Sequence, residues 1–212
     1  SAEAEANLGL ALEALLERDA AKADQALAGD RVIDRMEVEL EDDCIGLMAT
    51  QQPMGKDLRT LLAALKISND LERVGDHAAN IAGSAKRLAE STPIAPKPEL
   101  LEMARLAREM LADALEAYVR GDAIAARDVC RRDDLVDALH NSMFRILLTH
   151  MMENPHSIGT AMELFLVSRN LERVADLATN IGEDVVYLVE GKSIKHRAEA
   201  EAAGGDGEGA PG

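Results

Sequence analysis

Acidic side chains recur along this sequence at helical spacing, and that pattern sets the chemistry open to it. Glu72, Asp76 and Asn80 lie four residues apart, and so do Glu172, Asp176 and Asn180 near the end of the chain. Residues four apart share one helix face, so each set is a row of oxygen donors. A second kind of row runs through Asp30, Asp34, Glu37 and Glu41, and its counterpart runs through Asp133, Asp137, His140 and Asn141. Like charges at this spacing cost roughly a few tenths of a kcal/mol per pair on an isolated helix, so acidic pairs repeated in matching places ask for compensation. One source is internal: Arg73 is three residues from both Asp70 and Asp76, and Arg173 is three from Asp176. The other is a bound hard cation, which prefers several carboxylate and amide oxygens. A solvated acidic face laced with surface ion pairs is the plain alternative. The close repetition of residue types favours metal more than composition alone does, and both readings stay open.

The remaining chemistry-bearing residues form weaker patterns. His140 lies three residues after Asp137, a possible Asp-x-x-His metal pair, but Glu37 stands at that place in the first half. His77 follows Asp76 and has Leu177 as its counterpart, which suits a helix-edge residue better than a ligand. His150 and His156 flank Asn154-Pro155, where surface positions are expected, and Met151-Met152 reads as core packing. Cys44 and Cys130 form neither a CxxC pair nor a zinc-ligand spacing, and read as reduced, buried thiols of a cytoplasmic protein. No Ser/His/Asp arrangement or Gly-rich phosphate loop stands out.

Composition narrows the class. The chain has 212 residues with a formal net charge of −16. Such a charge repels nucleic-acid backbones and anionic membranes, and favours cations or a basic patch on a protein partner. No apolar run is long enough to span a bilayer and no signal peptide is evident, so membrane association is expected only through partners. Aromatic residues make up only 2%. A core of Leu, Ala, Val, Ile and Met suits helix-on-helix packing rather than sheets.

Apolar spacings of three and four mark amphipathic helices. Ile33, Met36, Leu40, Cys44 and Leu47 form one stripe. Leu71, Val74, Ala78, Ile81, Ala85 and Leu88 form a second, and Val136, Leu139, Met143 and Ile146 a third. With breakers at Gln52-Pro53, Gly121-Asp122 and Asn154-Pro155, the spacing predicts six helices over about residues 2–18, 20–51, 55–90, 98–120, 122–153 and 157–190.

The halves are copies of each other. SNDLERVGDHAANI (68–81) and SRNLERVADLATNI (168–181) agree at nine of fourteen positions. Asp19 matches Asp122, and Pro53 matches Pro155. A repeat of this length is too long for a solenoid unit and reads as a duplicated three-helix bundle. The expected organisation is an all-α chain with a first bundle at 1–90, a Pro-rich connector at 91–98, a second bundle at 99–197 and a disordered tail at 198–212. The first helix starts abruptly and is expected to be the remainder of a longer one.

Taken together these motifs resemble the PhoU family of phosphate-transport regulators. The resemblance rests on Asp30-Arg31-Val32-Ile33-Asp34, Gln52-Pro53 followed by Asp57-Leu58-Arg59, Asp70-Leu71-Glu72-Arg73-Val74-Gly75-Asp76 and Asn170-Leu171-Glu172-Arg173-Val174-Ala175-Asp176. Val186 to Lys192 with Lys195 and His196 add to it, and it covers roughly residues 1–197. It implies two three-helix bundles related by a pseudo-twofold axis. It also implies divalent or trivalent metal ions (iron, manganese, magnesium or zinc) at Asp30, Asp34, Glu72 and Asp76 and at Asp133, Asp137, Glu172 and Asp176. Glu37, Asn80, His140 and Asn180 are secondary candidates from their spacing. The implied role is non-enzymatic: repression of phosphate-starvation signalling and restraint of phosphate uptake. The implied partners are the ATPase subunit of a phosphate ABC transporter, a phosphate-sensing histidine kinase and a second copy of the chain.

The sequence departs from the family pattern at its short first helix, at Asn154-Pro155-His156-Ser157 in place of the Gln-Pro…Asp-Leu-Arg run, and at Glu37 and Glu41, which the second half does not repeat. The two metal sites are therefore expected to differ. Two other functions compete. A metal-independent helical interaction module keeps the repeat and treats the acidic rows as surface. A di-metal carboxylate oxidase needs Glu-x-x-His pairs on helices, and the one such spacing, Glu153 to His156, straddles Pro155.

Overall fold

The computed structural model describes residues 1–95 and 97–191. Its elements in chain order are α1 (Ala2–Glu17), α2 (Ala20–Gln51), α3 (Lys56–Glu90), α4 (Pro98–Arg120), α5 (Ala123–Glu153) and α6 (Ile158–Glu190), with a 3-10 turn at Pro155–Ser157. Each end falls within one residue of the span that periodicity and breakers predict. Among the described residues there is no strand, and no helix is long and apolar enough to cross a membrane. The expected disordered tail, the end of the second bundle at 192–197 and the motif residues Lys192, Lys195 and His196 lie outside the described residues.

The helix ends show why the breakers work. Asp19 caps α2, its Oδ1 accepting from Ala21 N at 2.8 Å and Lys22 N at 3.2 Å. Asp122 caps α5 in the same way, accepting from Ile124 N at 2.9 Å and Ala125 N at 3.0 Å. Each aspartate satisfies donors that a helix start leaves unpaired. Gly121 ends α4 at φ 64°, a left-handed conformation that glycine adopts without steric cost. Arg18, also left-handed, reaches across to the end of α3, where its guanidinium donates to the carbonyls of Leu88 and Ser91. A cation there complements the partial negative charge of a helix C-terminus.

The duplicated bundles are fused along their last helices. α1 packs on α2 and α3, α4 packs on α5 and α6, and α3 runs against α6. The buried side chains form one continuous cluster to which all six helices contribute. Val74, Ala78, Ile81, Val174, Ala178 and Ile181 are wholly buried at its centre. The second predicted stripe and, of the third, Val136, Leu139 and Met143 lie in or against this core.

The first stripe is only partly covered. Ile33 and Cys44 are buried, but Met36 and Leu47 are 46% and 47% exposed. The cause is length. At about 1.5 Å per residue the 16 residues of α1 cannot line the 32 residues of α2. Met152 is likewise exposed rather than core, while Met151 packs against the cluster.

Glycine sets the closest approach of α5 to α6. A Cβ on Gly182 would lie 2.9 Å from the Ala126 carbonyl oxygen and 3.2 Å from Cys130 Sγ. Backbone cannot yield as a flexible side chain does. Gly182→Val is therefore expected to cost ~1–3 kcal/mol and to lower the melting temperature by several degrees in circular-dichroism melts. An unchanged melting temperature would show that the two helices separate freely there.

Candidate functional site

The helical pairing brings the predicted rows face to face. In the first half, α2 supplies Asp30, Asp34 and Glu37, and α3 supplies Glu72 and Asp76. Burial, Asp34 and Asp76 together push the Asp30 carboxyl above its ordinary range. Burial, followed by Asp76, Glu37, Asp34 and Asp30, does the same to Glu72. These mutual effects place the five carboxylates in one electrostatic neighbourhood. Gly75 makes the approach possible: a Cβ there would sit 3.0 Å from Asp30 Oδ1 and 3.0 Å from Ile33 Cδ1. Sequence spacing did not single out Gly75. The signal was a helix-interior glycine, which gives up roughly 1 kcal/mol against alanine, set inside an otherwise repeated motif.

In the second half α5 supplies Asp133, Asp137 and His140, and α6 supplies Glu172 and Asp176. Burial raises Asp133 to about 6, with Asp176, Asp137, Asp134 and Glu172 adding to the shift. Burial also raises Glu172 and Asp176, opposed in both by Arg173. His140 joins the group, since its charge acts on Glu172. Its Nδ1 lies 3.1 Å from Ser168 Oγ and its ring stacks on Phe165 with centroids 5.4 Å apart.

Compensating charge falls unequally on the two halves. Arg173 lies 3.0 Å from Asp176 and 3.4 Å from Glu172. Arg73, equidistant in sequence from Asp70 and Asp76, turns to Asp70 at 3.7 Å. Among the described residues no Lys or Arg forms an ion pair with Asp30, Asp34, Glu37, Glu72 or Asp76. Glu37 instead accepts from Asn69 Nδ2 at 3.2 Å.

The other candidates are placed as follows. Asn80 lines a groove between α3 and α6. Asn180 is half-buried on α6, and Glu41 and Asn141 are exposed. His77 Nδ1 lies 2.9 Å from Asn170 Oδ1 across the α3–α6 interface. His156 sits in the 3-10 turn, so Glu153 and His156 do not share a helix face. Both cysteines are free thiols. Cys44 is buried, and burial raises Cys130 to about 11, which keeps it protonated and unreactive.

Donor type and hydrogen bonding suit a hard cation. Asp30 Oδ1 and Asp133 Oδ1 are buried with no hydrogen-bond partner among the described residues, and Glu172 Oε2, also without a hydrogen bond, has only the Arg173 ion pair at 3.4 Å. Buried carboxylate oxygens are rarely left so, and a cation would satisfy them. The finished geometry is another matter. Among the described residues, no group of three or more His, Cys, Asp or Glu side chains is gathered closely enough to hold a metal as the side chains stand. Closing on an ion requires side-chain rotation.

The fold and this doubled site define a class: duplicated three-helix-bundle proteins with paired acidic rows on neighbouring helices. The PhoU domain matches the chain twice, over residues 1–85 and 100–185, once for each bundle. The phosphate-specific transport system accessory protein PhoU homologue of Aquifex aeolicus is 40% identical over 187 residues, 88% of this chain and 85% of its own length. The homologue of Caulobacter vibrioides is 40% identical over 192 residues, 90% of this chain and 84% of its own length. Among solved structures, PhoU from Pseudomonas aeruginosa superposes with a TM-score of 0.86 at 34% identity, covering 90% of this chain and 92% of that one. The phosphate transport system regulatory protein PhoU from Streptococcus pneumoniae gives 0.83 at 29% identity, covering 91% and 90%. The chain belongs to the PhoU family.

The raised Asp133 carboxyl gives a signed prediction for chelated protein. Folding holds the proton on Asp133 more tightly than the unfolded chain does. Its contribution to stability is therefore present below the ordinary aspartate range and lost as pH rises through about 6. Asp133→Asn is expected to raise the melting temperature at neutral pH, with the gain shrinking as pH falls through about 6. Equal gains at all pH values in thermal melts would refute the assignment.

Proposed function

We propose that this protein is a non-enzymatic regulator of phosphate homeostasis that represses phosphate-starvation signalling and restrains high-affinity uptake when phosphate is plentiful. It acts by contact, with the ATPase subunit of a phosphate ABC transporter and a phosphate-sensing histidine kinase as its partners. Membership of the PhoU family supports the regulatory role, and its relatives are named as accessory or regulatory proteins of the phosphate transport system.

The observation that carries the metal part of the reading is the pair of facing acidic rows with unpartnered buried oxygens. Asp30, Asp34, Glu72 and Asp76 would hold one metal group, with Glu37 beside them. Asp133, Asp137, Glu172 and Asp176 would hold the other, with His140 beside them. An all-oxygen first site suits magnesium, manganese or iron, and an imidazole in the second widens the choice to zinc. When bound, the ions supply positive charge that ties α2 to α3 and α5 to α6. The chain's own residues do the rest: Gly75 lets the helices close, and Arg173 must leave Asp176 for a second-half ion to enter.

A second reading, a metal-independent interaction module, is favoured by one observation. No ready-formed metal triad exists among the described residues. The exposed apolar side chains toward the α2–α3 and α5–α6 tips, such as Met36, Leu47, Phe144 and Met152, offer contact surface either to partners or to a second copy.

Elemental analysis of protein purified without chelator decides between them. Wild type is expected to retain metal, and Glu72→Ala with Asp76→Ala to lose a large part of it while keeping its helical circular dichroism. No metal above background in wild type would remove the metal part. Deletion of the gene is expected to raise a phosphate-starvation reporter and phosphate uptake in high phosphate; unchanged output would sink the regulatory role.

A further inference from the structure

The groove between α3 and α6 carries charge that the acidic rows do not explain. It encloses about 350 Å³ and is lined by Arg87, Arg169 and Arg173 with His77, Asn80 and Asn170. Three guanidinium groups meet there in a chain whose formal net charge is −16. Arg87 is held by Glu163 through two bonds of 2.7 and 2.8 Å, and its Nη2 also donates to Ser84 Oγ. Arg173 leans on Asp176. Arg169 is exposed and has no ion-pair partner among the described residues. His77 is held by Asn170, whose Nδ2 donates to the Leu166 carbonyl at 2.7 Å. That leaves the amide oxygen to accept, so His77 Nδ1 carries the proton and Nε2 is left over.

The duplication supplies the control. The pseudo-equivalent groove on the other side of the α3–α6 contact has Asn69 in place of Arg169, Asp70 in place of Asn170, Asp184 in place of Ser84 and Tyr187 in place of Arg87. Its Lys66 pairs with buried Asp184 at 3.0 Å, and its Arg73 pairs with Asp70. The same positions thus sum to no formal charge on one side and to three positive charges on the other, two of which are answered from outside these positions by Glu163 and Asp176. The Arg87–Glu163 bridge gives one of these changes a structural role across the interface, but Arg169 has no ion pair among the described residues, and a ligand of negative charge would answer it. Planar guanidinium forks match the oxygens of a phosphate group and bind it with paired hydrogen bonds.

We propose that the α3–α6 groove on the Arg169 side binds a phosphate group, with Arg169 as its free anchor and Arg87, Arg173 and Asn80 as flanking donors. The placement rests on the groove alone; the choice of inorganic phosphate as first probe rests on the proposed role in phosphate homeostasis. Arg173 is shared between this groove and the second acidic row, so neutralising Asp176 removes the shorter of its two acidic contacts, leaves Glu172 at 3.4 Å, and frees Nη1 toward the anion.

Isothermal titration of the full chain with inorganic phosphate, and separately with ADP, tests the site and distinguishes a free ion from a nucleotide's phosphate. Binding of either is expected, and Arg169→Ala is expected to weaken it about tenfold or more with the helical circular dichroism unchanged. Arg105→Ala, which removes the same charge from the exposed face of α4, is expected to leave it unaltered. Asp176→Asn is expected to tighten binding, and to lose that gain when combined with Arg173→Ala. Absence of binding by both ligands, or equal weakening by Arg169→Ala and Arg105→Ala, overturns the site. An Asp176→Asn variant that binds no more tightly overturns the sharing of Arg173. None of these results bears on the gene-deletion phenotype, so the groove and the regulatory role stand or fall separately.

Discussion

Carboxylates of one sign are held against each other between packed helices, and much of this molecule follows from that constraint. Desolvating a carboxylate is costly unless it is paired or protonated. The helices are nevertheless pressed together, because the α3–α6 core buries Val, Ile, Leu and Ala continuously from one bundle to the other. Each pair of rows must then be relieved by a proton, by a neighbouring cationic side chain or by a bound cation. The second half has Arg173 bonded to Asp176 at any ordinary pH, and a proton on Asp133 only below about 6. The first half has neither in comparable measure: Arg73 is turned away to Asp70. That makes the first half the place where an external cation has most to relieve.

Much of this was legible in the sequence, for identifiable reasons. Helix spans followed from apolar periodicity because the breakers carry real caps: Asp19 and Asp122 each take two backbone N–H groups, and Gly121 takes the left-handed turn. The facing of Asp30 and Asp34 with Glu72 and Asp76 followed from spacing four on adjacent helices. Spacing, however, gives a residue's face on its own helix and says nothing of which neighbour covers it. Met36 and Leu47 share a stripe with Ile33 yet lie beyond the reach of α1. Asn80 shares a row with Asp76 yet lines the groove toward α6. Arg73 had two acidic neighbours at equal separation, and only the position of Asp70 in the α3–α6 interface decides between them.

The two halves differ at Gly75 and Ala175 and in what surrounds their acidic rows. With glycine, Asp30 Oδ1 approaches the α3 backbone closely and Ile33 packs beside it. The second half has alanine at the equivalent place, His140 beside the row stacks on Phe165, and burial raises Asp133 to about 6. The duplicated motif therefore conceals two microenvironments, one open and wholly acidic, the other drier and already supplied with an arginine and an imidazole.

Divergence after duplication reads the same way along the pseudo-twofold axis. Both grooves flanking the α3–α6 contact began from one set of positions, and packing constrains them alike. One has buried Asp70 and Asp184, each answered by a basic side chain of the same groove. The other has Ser84 and Asn170 at the places of those acids and carries Arg87 and Arg169, of which Arg87 is held by Glu163 and Arg169 has no ion pair among the described residues. Because Arg173 spans this groove and the second acidic row, positive charge placed on that row and negative charge placed in the groove favour each other. By linkage the preference runs both ways, so a cation at the proposed row and a phosphate group in the proposed groove would each favour the other.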